Sequence, residues 1–137
     1  MDESFEKVKE FQEIFGLPVS DAPVMLAAGR VAVRSGWLRE EIEEFEQAAD
    51  IYGQADAMID LIYFALGTLV EMGVKPGGIF DIVHEANMGK LWGDGKVRRR
   101  ESDGKVIKPP GWADPEPKIR AEIDKAGGIN GRQEDKF

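Results

Sequence analysis

Five glutamates fall within the eleven residues "LREEIEEFEQA", 38–48. The next stretch, "ADAMIDLIYFALGTLV", carries a single charge, Asp60, in the run from Ala57 to Val70. Helical spacing places Glu41 and Glu44 one turn apart with Trp37 and Ala48, and carboxylates at i, i+3 can reach one cation. Glu40 lies beside them toward solvent, while Glu43 and Glu46 take the opposite shoulder. The segment around Asp60 is apolar nearly all round, the pattern of a buried helix. An unpaired buried carboxylate costs on the order of several kcal/mol, so Asp60 needs a metal, a base or a proton. Asp56, one turn earlier, shares its face.

An antiparallel turn about Tyr52 brings the two sets together. Glu44 and Asp60 each lie eight residues from it, roughly 12 Å along either helix. Glu41 and Asp56 then sit about a turn to either side. Four carboxylates so placed repel one another unless a cation lies among them. With no cysteine and one histidine, the donors are oxygens and the ion is hard: Mg²⁺ first, Mn²⁺ second. The plainer reading is a solvated glutamate-rich helix and one core aspartate paired to a base. Arg34 is placed to pair with the cluster or to contact phosphate. Trp37 borders a base pocket or packs in a core or subunit interface. His84, the only histidine, reads as a packing or hydrogen-bonding residue.

Five segments position these groups. Phe5, Val8, Phe11 and Phe15 recur at helical spacing over 4–15, and Gly16 with Pro18 ends that helix. A second helix is expected from near Val24 to Asp50, with a kink possible at Gly36 and Leu38, Ile42, Phe45 and Ala49 facing the core. Tyr52-Gly53 reads as the turn, followed by a third helix from about Gln54 to Met72. Pro76 suits the first residue of a fourth, running to about Met88. Residues 89–113 are rich in Gly, Pro and charge, with two "DGKV" turns, and read as a loop rather than a two-stranded ribbon. A last helix covers 115–126, and 127–137 reads as a flexible tail. No segment alternates as a core strand, so the expectation is an all-α bundle of four to five helices in one domain, 1–126.

The chain has 137 residues and is 42% hydrophobic, enough for one core. The absence of cysteine suits a reducing cytoplasm. The opening "MDESFEKVKEF" lacks an apolar signal core, and Asp60 breaks the longest apolar run, so no membrane span is expected. A net charge of −8 argues against nucleic-acid binding. Yet Lys90–Lys108 holds seven basic and three acidic residues. An acidic body with a basic flap suits a polyanion held through a divalent metal. The third helix carries more apolar surface than one small bundle can hide, so a homodimer or homotetramer is expected.

"LREEIEEF" followed by "ADAMIDLIYFALG", "IFDIVHEANMGKL" and "DGKVIKPPGW" resembles the all-α nucleoside triphosphate pyrophosphohydrolases. That superfamily includes MazG-like enzymes, dimeric dUTPases and phosphoribosyl-ATP pyrophosphohydrolases. The likeness spans roughly Phe5 to Trp112 and is nearest to the single-domain MazG-like, dUTPase-related branch. It implies a Glu-x-x-Glu metal motif at Glu41 and Glu44, and a second-motif aspartate at Asp60. It implies a further glutamate at Glu40 that holds another metal or helps activate water. Asn87 and Lys90 match an Asn-x-x-Lys used on the nucleotide and its phosphates. One departure stands out: the second motif is often Glu-x-x-Asp, and here Ala57 occupies the glutamate position, with Asp56 placed to take over. The resemblance implies hydrolysis of a nucleoside triphosphate to monophosphate and pyrophosphate, with dUTP or another pyrimidine deoxynucleotide as the leading substrate. Lys105, Lys108 and the Arg98–Arg100 run would close over the phosphates as a flap, or decorate a solvated loop. Trp112 covers the site or pins that loop. The alternatives are a phosphoribosyl-ATP or broad MazG-like activity and, in another class, a catalytically silent helical module binding nucleotide or a partner.

Overall fold

The computed structural model describes residues 1–127, so all but the first residue of the expected tail lies outside it. Five helices follow in order: α1 Asp2–Phe15, α2 Ala28–Gln47, α3 Ile51–Met72, α4 Pro76–Met88 and α5 Glu116–Ala126. Among the described residues there is no strand, only an isolated antiparallel bridge between Arg99 and Val106. The all-α expectation holds. The loop is tighter than expected, because Arg100 N–H donates to Lys105 O and Ile107 N–H to Arg98 O across the second Asp-Gly turn.

Local chemistry sets the helix ends. Gly16 closes α1 and Gly73 closes α3, both in the left-handed conformation at φ 72° and 68°. At Gly73 a side chain has no room, since a Cβ would lie 2.3 Å from the Ala22 carbonyl oxygen. Asp50 caps α3, its carboxylate accepting the Gly53 N–H at 2.9 Å. Tyr52 and Gly53 are therefore inside the first turn of α3, and the connection sits earlier, at 48–50. Helix α2 begins at Ala28 rather than near Val24. Residues before it run beside the end of α3, where Ser20 N–H donates to Val70 O and Val24 N–H to Met72 O. Those bonds satisfy α3's terminal carbonyls and hold the segment out of a helix. The helix continues through Gly36 without a break.

The core lies between α1 and α3, where Phe5 and Val8 pack against Leu66 and Val70. The third buried position of α1 is Gln12, not Phe11 or Phe15, which are exposed and stack on each other. Helix α2 packs on α3 through an unexpected side. Ile42 and Phe45, placed in the core stripe on spacing, are 43% and 39% exposed, while Arg34 and Glu41 are buried. The α2 stripe that meets α3 is Arg30–Arg34–Trp37–Glu41, because its arginines find a buried partner there, whereas Ile42 and Phe45 of the apolar stripe are left uncovered among the described residues. Helix α4 turns away from α3 by 116° and packs on α5 and α1. No single described helix is long and apolar enough to cross a membrane.

Candidate functional site

The seam between α2 and α3 is layered. At its far end the Arg34 Nε donates to Glu71 at 2.8 Å and Arg30 Nε to the same carboxylate at 2.5 Å. The other arm of Arg34 donates to Gln12 Oε1 at 2.9 Å, and Gln12 Nε2 donates to the Pro18 carbonyl at 2.7 Å. The next layer is aromatic: Trp37 packs on Phe64 with centroids 5.6 Å apart, and the Arg34 guanidinium lies 4.8 Å over the Trp37 ring. One turn nearer the connection stands Glu41, on whose carboxyl Asp60 acts from α3. Glu44 and Asp56 follow on the next turn. The expected turn about Tyr52 is corrected, since the connection sits at 48–50, while Glu44 acts on Asp60 across the seam.

The four carboxylates act on one another. Glu41 is 7% exposed, and burial first, then Glu44, Asp60 and Asp56, push its carboxyl above the ordinary value of 4.5. Asp60, half-buried, is raised above 3.8 by burial and then by Asp56 and Glu44. No lysine or arginine contributes to either shift. The buried Oε2 of Glu41 has no hydrogen-bond partner. Groups that desolvate without pairing are rare in folded proteins and point to a missing partner. As the side chains stand, no three His, Asp or Glu residues among those described are close enough together to hold an ion. Glu44 and Asp56 are exposed, so the group opens to solvent on one side and its outer members are free to turn inward. Ala57 is fully packed, whereas Asp56, one residue earlier, presses on both Glu41 and Asp60. Glu40 is exposed on the rim.

The residues expected on phosphate are gathered elsewhere. Asn87 accepts from the Lys90 ammonium at 2.8 Å at the end of α4. Lys90 and Lys108 lie 5.7 and 4.4 Å over the Trp112 ring, whose indole N–H donates to the Ala86 carbonyl at 2.7 Å. Trp112 pins the loop onto α4. Lys105 is exposed beside the Asp103 turn, to which it donates its backbone N–H. Arg98 and Arg100 are engaged with Asp94 and Asp103, and hold those carboxyls below the ordinary aspartate value. No interaction among the described residues joins Asn87, Lys90, Lys105 or Lys108 to the carboxylates. The expectation for Arg34 is corrected: it is buried on Glu71 and Gln12, away from both the cluster and solvent. His84 is exposed rather than packed. Trp37 keeps its place one turn from Glu41, as seam packing with one half-open side.

Sequence reasoning missed Glu71, Arg30 and Gln12. A signal was present in each case. Glu71 is the third charge of the apolar α3, after Asp56 and Asp60, Arg30 precedes Arg34 by one turn, and Gln12 continues the α1 stripe of Phe5 and Val8.

The family described as phosphoribosyl-ATP pyrophosphohydrolase matches residues 8–87. The match takes in Glu41, Glu44, Asp60 and Asn87, and stops short of Lys90 and the basic loop. Among solved structures, a candidate NTP pyrophosphohydrolase from Exiguobacterium sp. 255-15 is 33% identical, over 88% of this chain and 93% of that one, with a TM-score of 0.50. No curated protein matches. With carboxylates at the Glu-x-x-Glu and aspartate positions, on two packed helices of an all-α, MazG-like fold, the chain belongs to the phosphoribosyl-ATP pyrophosphohydrolase family and is a pyrophosphohydrolase.

Proposed function

We propose that the protein hydrolyses a nucleoside triphosphate between the α- and β-phosphates, consuming one water and releasing a nucleoside monophosphate and pyrophosphate in a Mg²⁺-dependent reaction. The observation that carries this reading is the partnerless Oε2 of Glu41, buried among three other carboxylates with no protein cation acting on it. That donor set, oxygen only and strongly anionic, fits Mg²⁺ or Mn²⁺. Glu41, Glu44, Asp56 and Asp60 would hold the ion. When bound it supplies charge neutralisation at the phosphates and Lewis acidity. Glu40, exposed beside the pair, orients the attacking water or takes its proton. Asn87 and Lys90 hold the nucleotide and its phosphates, with Lys105 and Lys108 closing over them. Half-open beside Glu41, Trp37 would border the base with the edge that Arg34 and Phe64 leave uncovered.

We take dUTP or another pyrimidine deoxynucleotide as the first substrate to test, on the likeness to the dUTPase-related branch. The match of residues 8–87 favours phosphoribosyl-ATP as the second. The bare Ile42 and Phe45 on α2 support assembly with a second copy, as a dimer or a pair of dimers. Pyrophosphate release from a panel of ribo- and deoxynucleotides and phosphoribosyl-ATP tests the reading, with Mg²⁺ and with EDTA, for wild type and Glu44→Gln. Release that needs the metal and falls to background in Glu44→Gln is the expected result. Equal release in EDTA, or no release from any member with Mg²⁺ or Mn²⁺, overturns it.

A further inference from the structure

The ion pair at the far end of the α2–α3 seam is built in a way that stability alone does not explain. Arg34 and Glu71 are each 3% exposed and Gln12 is 1% exposed, so three polar side chains from three helices are withdrawn from water together. Burying an ion pair gains little over an apolar pair of similar volume, because desolvation offsets the attraction. A buried pair does confer direction: a planar guanidinium donates along fixed lines and tolerates little displacement. The best attested use of such groups is to select one register among several.

Beyond the three-residue connection at 48–50, which limits sliding at one end, the rest of the seam has little means of fixing register. Trp37 on Phe64 and the packed Ala57 are apolar contacts, which are non-directional. The four carboxylates repel and favour no particular alignment. Sliding α2 on α3 by one turn, about 5.4 Å, would set Glu41 against Asp56 or Phe64 instead of Asp60. Gly67 makes such a slip costly. A Cβ there would lie 2.4 Å from Gln12 Oε1 and 2.9 Å from an Arg34 guanidinium nitrogen, so both side chains occupy a slot that only glycine leaves open. One turn along α3 in either direction the slot is closed by Tyr63 and Phe64 or filled by Glu71. Gln12 then shuts it from α1 by accepting from Arg34 while donating to Pro18 O.

We propose that Arg34, seated with Gln12 in the Gly67 slot and paired to Glu71, forms a register lock that aligns α2 with α3 and thereby positions Glu41 and Glu44 opposite Asp60 and Asp56 for a divalent ion. These are positioning residues that touch neither ion nor substrate. Residue 34 is two turns from Glu41, and residue 71 three turns from Asp60. The metal part of this inference rests on the reading of the site proposed above; the register part does not.

The chain has no cysteine, so Glu43→Cys and Gln54→Cys place two spin labels on α2 and α3, at exposed positions outside the carboxylate set. Pulsed EPR reads the distance between them, Mn²⁺ titration reads ion affinity, and pyrophosphate release reads kcat and KM. The test variant is Arg34→Met with Glu71→Leu, which leaves neither of the two charges buried without the other. The expected result is a folded helical protein with a broadened or displaced label distance. Mn²⁺ affinity is expected to fall at least about tenfold, the lower end of the loss when supporting residues around a metal site are removed. The expected loss in turnover lies in kcat more than in KM. A narrow wild-type distance together with wild-type Mn²⁺ affinity overturns the proposal and leaves the pair as packing. If the double variant fails to fold, Arg34→Lys decides by the same readings, since an ammonium keeps the charge but lacks the fork that reaches Glu71 and Gln12 together. If the wild type neither binds Mn²⁺ nor releases pyrophosphate, the metal reading fails on its own. The label distance then decides the lock by itself: broadening in the variant supports it, and no change overturns it.

Discussion

At the scale of single residues, the site is defined by a conflict between burial and charge. Glu41 and Asp60 are both raised by burial and by neighbouring carboxylates, so the folded chain holds their protons more tightly than the unfolded chain does. Metal-free stability is therefore expected to be fully present at low pH as far as these groups go. It should fall as pH rises from their ordinary values through the raised ones. Glu41→Gln removes that penalty. It is expected to raise the melting temperature without metal and to abolish the rise expected of the wild type with Mg²⁺. Thermal melts with Mg²⁺ and with EDTA at two pH values check both halves; a Mg²⁺-induced rise that survives in Glu41→Gln removes Glu41 from the ligand set. Glu71 has the opposite sign. Hydrogen bonds from Arg30, and then those from Arg34, hold its carboxyl below 4.5 against the cost of burial. Its stabilisation is present above the ordinary glutamate value and lost as pH falls through the lowered one. Glu71→Gln, which leaves Arg34 buried without its counter-charge, is expected to cost about 3–5 kcal/mol in urea unfolding at pH 7, and less as the pH is lowered.

At the scale of elements, the helix ends carry the connection geometry that sets the site. Asp50→Ala removes the acceptor for Gly53 N–H and is expected to cost about 1 kcal/mol, read from the urea midpoint at unchanged slope. Gly73→Ala should be more severe. The left-handed conformation at φ 68° disfavours any Cβ, and the Ala22 carbonyl occupies its space. It would also disturb the segment before α2 that runs along the end of α3. Helix periodicity placed α4 at its observed bounds and α3 within a turn, because Pro76, Gly73 and the apolar run are local signals. The start of α2 was not legible in the same way. Residues 24–27 can be helical by composition, yet they lie outside α2, with Val24 N–H donating to Met72 O at the end of α3.

At the scale of the whole molecule, the cations and the carboxylates lie on different parts of the fold. The basic loop is fastened to α4 by Trp112, and α4 packs on α5 and α1 rather than on α2. The open α2 face, with Val31, Ile42 and Phe45, is continuous with the seam that carries Glu41. A second copy seated there would cover that face and stand beside the carboxylates. Ile42→Asp with Phe45→Glu is expected to convert the assembly to monomer in light scattering and to lower pyrophosphate release with it. A wild type that is monomeric at assay concentration, with full activity, rejects that assembly. Mixing Glu44→Gln with Lys90→Ala subunits tests whether the lysine proposed for phosphate comes from the same chain or from a partner. Recovered activity in mixed assemblies means that a partner supplies it, and no recovery means that it comes from the same chain.

The sequence determined which segments are helical, where most of them stop, and that carboxylates from two consecutive helices act on one another across one seam. Periodicity, Gly and Pro punctuation and a charge inside an apolar run are properties of neighbouring residues. Only the tertiary structure decided which side of α2 is inside. Leu38, Ile42 and Phe45 form as regular a stripe as any core, and spacing alone does not say whether such a stripe meets its own chain or another copy. Register was likewise decided in three dimensions. Arg34 and Glu71 are 37 positions apart, and Gln12 and Arg34 are 22 apart; their pairing depends on a slot at Gly67 that exists only once α1, α2 and α3 have packed together.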